Sequence, residues 1–292
     1  MNEIINKKKI MGLGIKHIRS DSKIRPMNTV GILVVGNEIL DGVTLDTNTQ
    51  WMINKLKPLN YIVAETITVR DDTTEIAKAL NRMVGDGLGL IITTGGLGPT
   101  YDDMTLKGVA EAFSLPLAVN PEALAIVERQ YRAFHRAGVV DSAEITEARR
   151  KMAAFPEGAE PLDNKAGGAP GVMLRREGAL IVSLPGVPSE LKWIFQNPLH
   201  TILTDASEGH YTERIINLSA RDESMLAPLI DEANKLEPDV YIKSMVKSMV
   251  DNEKGYVIRL WISCHGDEMK EIQAKVNKVA NFFVDLAENN LT

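Results

Sequence analysis

The chain has 292 residues and a mass of 32.1 kDa, too long for one ordinary small domain and comfortable for two. Its 44% hydrophobic and 25% charged residues, with mean hydropathy -0.09, exclude collagen-like, low-complexity and disordered classes, and no apolar run approaches the ~18 to 20 residues of a membrane span. The net charge of -6 divides into +5 over residues 1–26, -5 over 27–200 and -6 over 201–292, an acidic balance that argues against nucleic acid as a partner.

Residues 1–27 form a basic N-terminal extension without the apolar stretch of a secretory signal. From Thr29 the pattern becomes regular. Val30 to Val35 is a short continuous apolar run, the mark of a strand buried on both faces. A helix is predicted over residues 46–57, capped by Asp46 or Thr47, with Trp51, Ile53 and Leu56 as buried positions and Pro58 as its stop. A strand over 61–69 ends at Arg70-Asp71-Asp72, and a helix follows from Thr73 or Thr74 to the glycines at 85–89. A second buried strand over 88–94 runs into Gly95-Gly96-Leu97-Gly98-Pro99-Thr100-Tyr101-Asp102-Asp103-Met104 and then a helix over 105–113.

Helices over 121–136 and 142–152 make an insertion. Short strands at 172–175 and 179–184 flank the turn to Pro185-Gly186, and a helix opens at Ser189-Glu190. Strand and helix in alternation mean a doubly wound, mostly parallel α/β sheet over residues 28–200. Beyond residue 200 the order changes to strand, helix, strand, strand, helix, a small α+β unit over 201–292. Cys264 is the sole cysteine, so an internal disulfide and a cysteine-built zinc site are both excluded, as suits a reducing cytoplasm. Any metal is left to oxygen or imidazole ligands, and the five histidines show no ligand-like pairing.

Open α/β sheets bind ligands at the carboxyl ends of their strands, so the segments after Val35, Val69, Thr94 and Leu184 should gather on one edge. Gly95, Gly96, Leu97 and Gly98, with Thr100 and Thr105 beyond them, lead into a helix N-terminus, and amides freed of Cβ atoms there suit a phosphate or pyrophosphate. Strand-to-helix turns also need glycine for geometry alone. Asp102 and Asp103 beside such a cradle would repel the anion unless a divalent cation (Mg²⁺, Mn²⁺ or Co²⁺) sat between them, although one of them could be a plain N-cap. Glu38, Asp71 and Asp72 from neighbouring turns would enlarge the acidic cluster, whose repulsion calls for a cation or for raised pKa values, although Asp72 and Thr74 also suit a plain capping role. Asn164 and Gly167-Gly168 form a polar loop fit for a base, ribose or pterin, or simply for a turn, and Pro185, Gly186 and Glu190 reach the same edge.

Five ordered blocks, Gly36-Asn37-Glu38-Ile39-Leu40-Asp41-Gly42, Asp46-Thr47-Asn48, Thr94 to Thr105, Asn164 to Gly171 and Leu184 to Glu190, resemble the N-terminal part of the CinA family, in the molybdopterin-binding superfamily. The resemblance covers about residues 28–200, and the βαββα tail is similar to the KH-like module of CinA proteins. It implies a molybdopterin-binding-like fold and a divalent-metal-dependent pyrophosphatase splitting ADP-ribose into AMP and ribose 5-phosphate. In that role Asp102, Asp103 and Asp71 would hold the metal, the amides of Gly96 to Gly98 the phosphate, and Glu38 or Asp72 the attacking water. Where related adenylyltransferases carry Gly-Gly-Thr-Gly and an Arg-Asp pair, this chain has Leu97 and Asp102, which disfavours a pterin phosphate held by arginine.

The alternatives are a molybdopterin-binding or molybdopterin-adenylylating protein, and a non-enzymatic scaffold for RNA or a partner. Relatives imply a homo-oligomer, a dimer or trimer. The nicotinamide mononucleotide deamidase domain of many bacterial CinA proteins lies past the end of this chain, so that activity is not expected. The tail lacks a Gly-x-x-Gly loop and is acidic, which leaves it a structural or oligomer-contact role.

Overall fold

A computed structural model describes residues 28–220, 223–246 and 256–290, so the basic extension lies outside the described residues. In chain order the elements are β1 (Thr29–Val35), α1 (Asn37–Leu40), α2 (Asn48–Leu56), β2 (Ile62–Val69), α3 (Thr73–Gly85), β3 (Leu90–Thr94) and α4 (Thr105–Ala112). The insertion supplies β4 (Leu117–Val119), α5 (Pro121–Arg136), α6 (Glu147–Lys151) and β5 (Ala154–Pro156). There follow β6 (Glu160–Leu162), β7 (Gly171–Arg176), β8 (Ala179–Leu184), α7 (Pro188–Ile194) and α8 (His200–Ala206). The chain closes with β9 (His210–Ala220), α9 (Ala227–Leu236), β10 (Tyr241–Val246), β11 (Tyr256–Gly266) and α10 (Met269–Asn290).

Six strands form one sheet in the order β2-β1-β3-β8-β7-β6, parallel from β2 through β8 and antiparallel for the last two. Strand position explains strand composition. β1 lies between two neighbours with helices on both faces and is buried at every residue, whereas β2 at the edge alternates with period two. One face packs Ile76, Leu80, Met83, Val109, Val127 and Phe155; the other packs Met52, Leu56, Leu191, Phe195 and Leu203. Burying each of these large side chains is worth about 1.5–3 kcal/mol, and together they hold the sheet edge in place.

The tail forms its own antiparallel sheet, β10-β11-β9, with α9 and α10 packed around Leu218, Leu260, Ile262, Val279 and Phe283. It meets the larger sheet where Lys57 Nζ, 2.7 Å from Glu213 Oε2, shares that carboxylate with the Trp261 indole. Among the described residues, no helix is long and apolar enough to cross a membrane.

Three expectations change, and one strand pair is added. The predicted helix over 142–152 shortens to α6, because the Ser142 hydroxyl accepts the Glu144 N–H and Thr146 caps at the Arg149 N–H. The helix over 46–57 buries Asn48, Met52 and Leu56, with Trp51 and Ile53 only partly covered. The helix opening at Ser189-Glu190 continues past Phe195 through a π turn with Pro198 into α8. The β4–β5 pair joins three residues a side, too few to leave a period in the sequence.

Candidate functional site

At the carboxyl edge, main-chain hydrogen bonds lace the turns together. Gly36 N donates to Val69 O at 3.1 Å and Gly95 N to Leu184 O at 3.1 Å. The Asp71 carboxylate accepts the Asn37 N–H at 2.8 Å, and Asn48 Nδ2 donates to Gly186 O at 2.8 Å. Gly95 (φ 98°) leaves no room for a side chain: an added Cβ would stand 2.1 Å from Val35 O. Gly96 (φ 64°) is as tight, with Thr105 Oγ1 2.4 Å from the position its Cβ would take.

A cleft of about 450 Å³ opens over these turns, lined by Glu38, Asp71, Gly95 to Thr100, Asp102, Asp103, Gly168, Ala169, Pro185, Gly186 and Glu190. Thirteen of the sixteen residues expected from sequence therefore share one cavity. Three do not line it. Asp72 caps α3, its Oδ1 accepting the Thr74 and Glu75 N–H groups at 2.9 Å, so it is a helix cap and not a water-orienting base. Thr105 is fully buried and its hydroxyl donates to Gly95 O at 2.7 Å, which shapes the glycine turn from beneath. Asn164, also fully buried, accepts the Ala166 and Gly167 N–H groups and donates to Ala169 O and Glu190 Oε2. Its amide builds the loop that was expected to present it to a ligand.

The acids are arranged differently from a mutually repelling cluster. Thr100 donates its N–H to Asp103 Oδ2 at 2.7 Å, and its hydroxyl touches both Asp102 and Asp103. That hydroxyl holds the exposed Asp102 carboxyl below the ordinary carboxylate range, opposite to the raised value expected of repulsion. Among the described residues, no three His, Cys, Asp or Glu side chains are grouped so as to hold a metal ion. Basic side chains stand close by: the Lys151 ammonium donates to Thr100 O, and Arg70 pairs with Asp41 at 2.9 Å and reaches Asn37 Oδ1 at 3.3 Å. Burial, outweighing the attraction of Asp103, lowers the Lys151 pKa.

Sequence reasoning missed the far wall. Tyr131 on α5 and Met152 after α6 line the cleft, with Tyr131 set against Gly168 and the Arg149 guanidinium 4.0 Å from its ring centroid. The run Arg149-Arg150-Lys151, basic amid an acidic chain, was the available signal. Glu190, in the first turn of α7, lies under Gly167, where a Cβ would fall 1.9 Å from its Cδ; burial there raises its carboxyl pKa despite the Asn164 hydrogen bond.

A second cleft of about 360 Å³ sits at the amino ends of β3 and β8 and contains none of the candidate residues. A groove of about 600 Å³ runs between β2 and the aromatic face of the smaller sheet.

The chain is 44% identical to a protein of Aeropyrum pernix over 214 residues, 73% of this chain and 77% of that one. It is 35% identical to a protein of Pyrobaculum aerophilum over 256 residues, 87% of this chain and 92% of the other. Among solved structures it is similar to the protein CinA, of unknown function, from Thermoplasma acidophilum, with TM-score 0.54 and 34% identity over 60% of this chain and 98% of that one. The family model described as "Probable molybdopterin binding domain" matches residues 31–205, a span holding all but the first two residues of the sheet and every residue of the cleft. The chain belongs to that molybdopterin-binding domain family.

Proposed function

We propose that the cleft binds a phosphorylated pterin of the molybdopterin type, its phosphate on the main-chain amides of Gly96 to Gly98 and its ring beside Tyr131, Gly168, Ala169 and Glu190. The observation that carries this reading is the juxtaposition, in a chain of this family, of a glycine turn at a helix N-terminus with a partly apolar wall in one cavity. Lys151, tied to the carbonyl of Thr100, offsets the charge of Asp102 and Asp103 beside the anion. Expected outcome: a pterin monophosphate raises the melting temperature progressively with concentration, as any ligand of the native state must. No shift at millimolar ligand removes the proposal.

A second reading, cation-dependent hydrolysis of a nucleotide pyrophosphate such as ADP-ribose, is favoured by Glu38, Asp71, Asp102 and Asp103 lining the same cavity. Under this reading Asp102 and Asp103 would hold a divalent ion, whose shell phosphate oxygens would have to complete. Such an ion, when bound, supplies Lewis acidity and a more acidic water. Glu38, exposed on α1, is the carboxylate left to orient that water once Asp72 is assigned to its helix. AMP release from ADP-ribose that needs Mg²⁺ and falls about 100-fold or more in Glu38→Gln is the expected result under this reading. Release that persists in chelator, or survives the substitution, counts against it.

A further inference from the structure

We infer that Glu190 selects the heterocycle in this cleft, accepting the adjacent N–H donors of a 2-amino-oxo edge, as in a pterin or guanine, and disfavouring the edge of adenine. This rests on the reading of the cavity as a site for a heterocycle with a phosphate.

The carboxylates lining the cleft divide by setting. Asp71, Asp102 and Asp103 are bonded within the turns that make the glycine-loop end, and Glu38 is exposed. Glu190 is half-buried, enclosed by the 164–169 loop, with Gly167 packed directly over its carboxyl group. Asn164 Nδ2 fixes its Oε2 at 2.8 Å, and Asn164 itself is held by three main-chain partners, so the carboxylate has one orientation. Fixed charge in a partly dry site is where a hydrogen-bonded pair discriminates best.

The chemistry follows from the donor inventory. An ionised carboxylate only accepts, and each oxygen retains lone-pair capacity after one bond. Guanine and pterin offer a ring N–H beside a 2-amino group, two donors side by side. Adenine offers a ring nitrogen lone pair beside its amino group, so one of the two contacts would set lone pair against carboxylate. Because burial raises the Glu190 pKa, the sign of the pH dependence is set: the accepting form fills as pH rises through that pKa, and the preference grows with it. Below it the protonated acid has a donor to give adenine, and the preference shrinks.

GMP and AMP share ribose and phosphate and isolate the edge, so the full chain should be titrated with each, and with a pterin monophosphate, by calorimetry. GMP and the pterin are expected to bind about tenfold or more tighter than AMP at neutral pH. Glu190→Gln, checked for folding by its melting curve, should erase that margin. Should the variant not fold, the margin in the wild-type protein must narrow as pH is lowered toward 4.5. If none of the three ligands binds, the reading of the cleft falls and this assignment with it. If GMP or the pterin binds but shows no margin over AMP, or keeps its margin in Glu190→Gln and at low pH, the assignment of Glu190 alone is overturned.

Discussion

Gly95→Ala is expected to lower the melting temperature by roughly 10 °C and to abolish ligand binding. At φ 98° a Cβ is strained in itself, and here it would approach within 2.1 Å of the Val35 carbonyl oxygen. That oxygen is main chain in a strand buried at every residue and paired on both sides, so it has nowhere to move. Strain and overpacking together give about 3 kcal/mol or more. Gly42, also at positive φ, has nothing within 4 Å of its Cβ position and serves as the control. A thermal melt of the two alanine variants side by side checks the argument. Near-equal melting temperatures would mean that the β1 and β3 turns are not in contact.

Asn164→Ala should cost about 2–4 kcal/mol in urea denaturation and weaken binding in the cleft at the same time. Its amide serves the Ala166 and Gly167 N–H groups, the Ala169 carbonyl and the Glu190 carboxylate, and no water can replace it at a fully buried position without a cavity. Asn164→Asp is the sharper variant. It preserves the acceptor for the two N–H groups but sets a second carboxylate against Glu190. Its loss of stability should therefore be greater above the pKa of Glu190 than below it. Stability unchanged in both variants would separate Asn164 from the loop it is seen to organise.

The glycine turn and its acids were legible because their cause is local. A run of Gly95, Gly96 and Gly98 after an apolar strand has few backbone solutions, and Asp102-Asp103 announces itself by charge. The sequence left Asp72 between a cap and the cleft; the start of α3 decides that Asp72 caps while Asp71 turns to the Asn37 amide. Asn164 had two readings in the sequence, ligand contact or turn chemistry, and tertiary packing, which seals it beneath the loop, decides for the turn. Tyr131 carried no signal of its own beyond the basic run that folds back on it. On α5 it is one aromatic along an amphipathic helix, and only the return of the insertion through Arg149 brings it against Gly168.

The turns beneath the cleft are tied together by main-chain bonds, Gly36 to Val69 and Gly95 to Leu184, while its walls are made of replaceable side chains. Point substitution at Tyr131 or Glu190 therefore leaves those main-chain bonds in place, and under the proposed reading it alters the ring contacts without touching the amides of the glycine turn. If the proposed reading holds, chains that share these turns can differ in the ring they accept while keeping one anchor for phosphate.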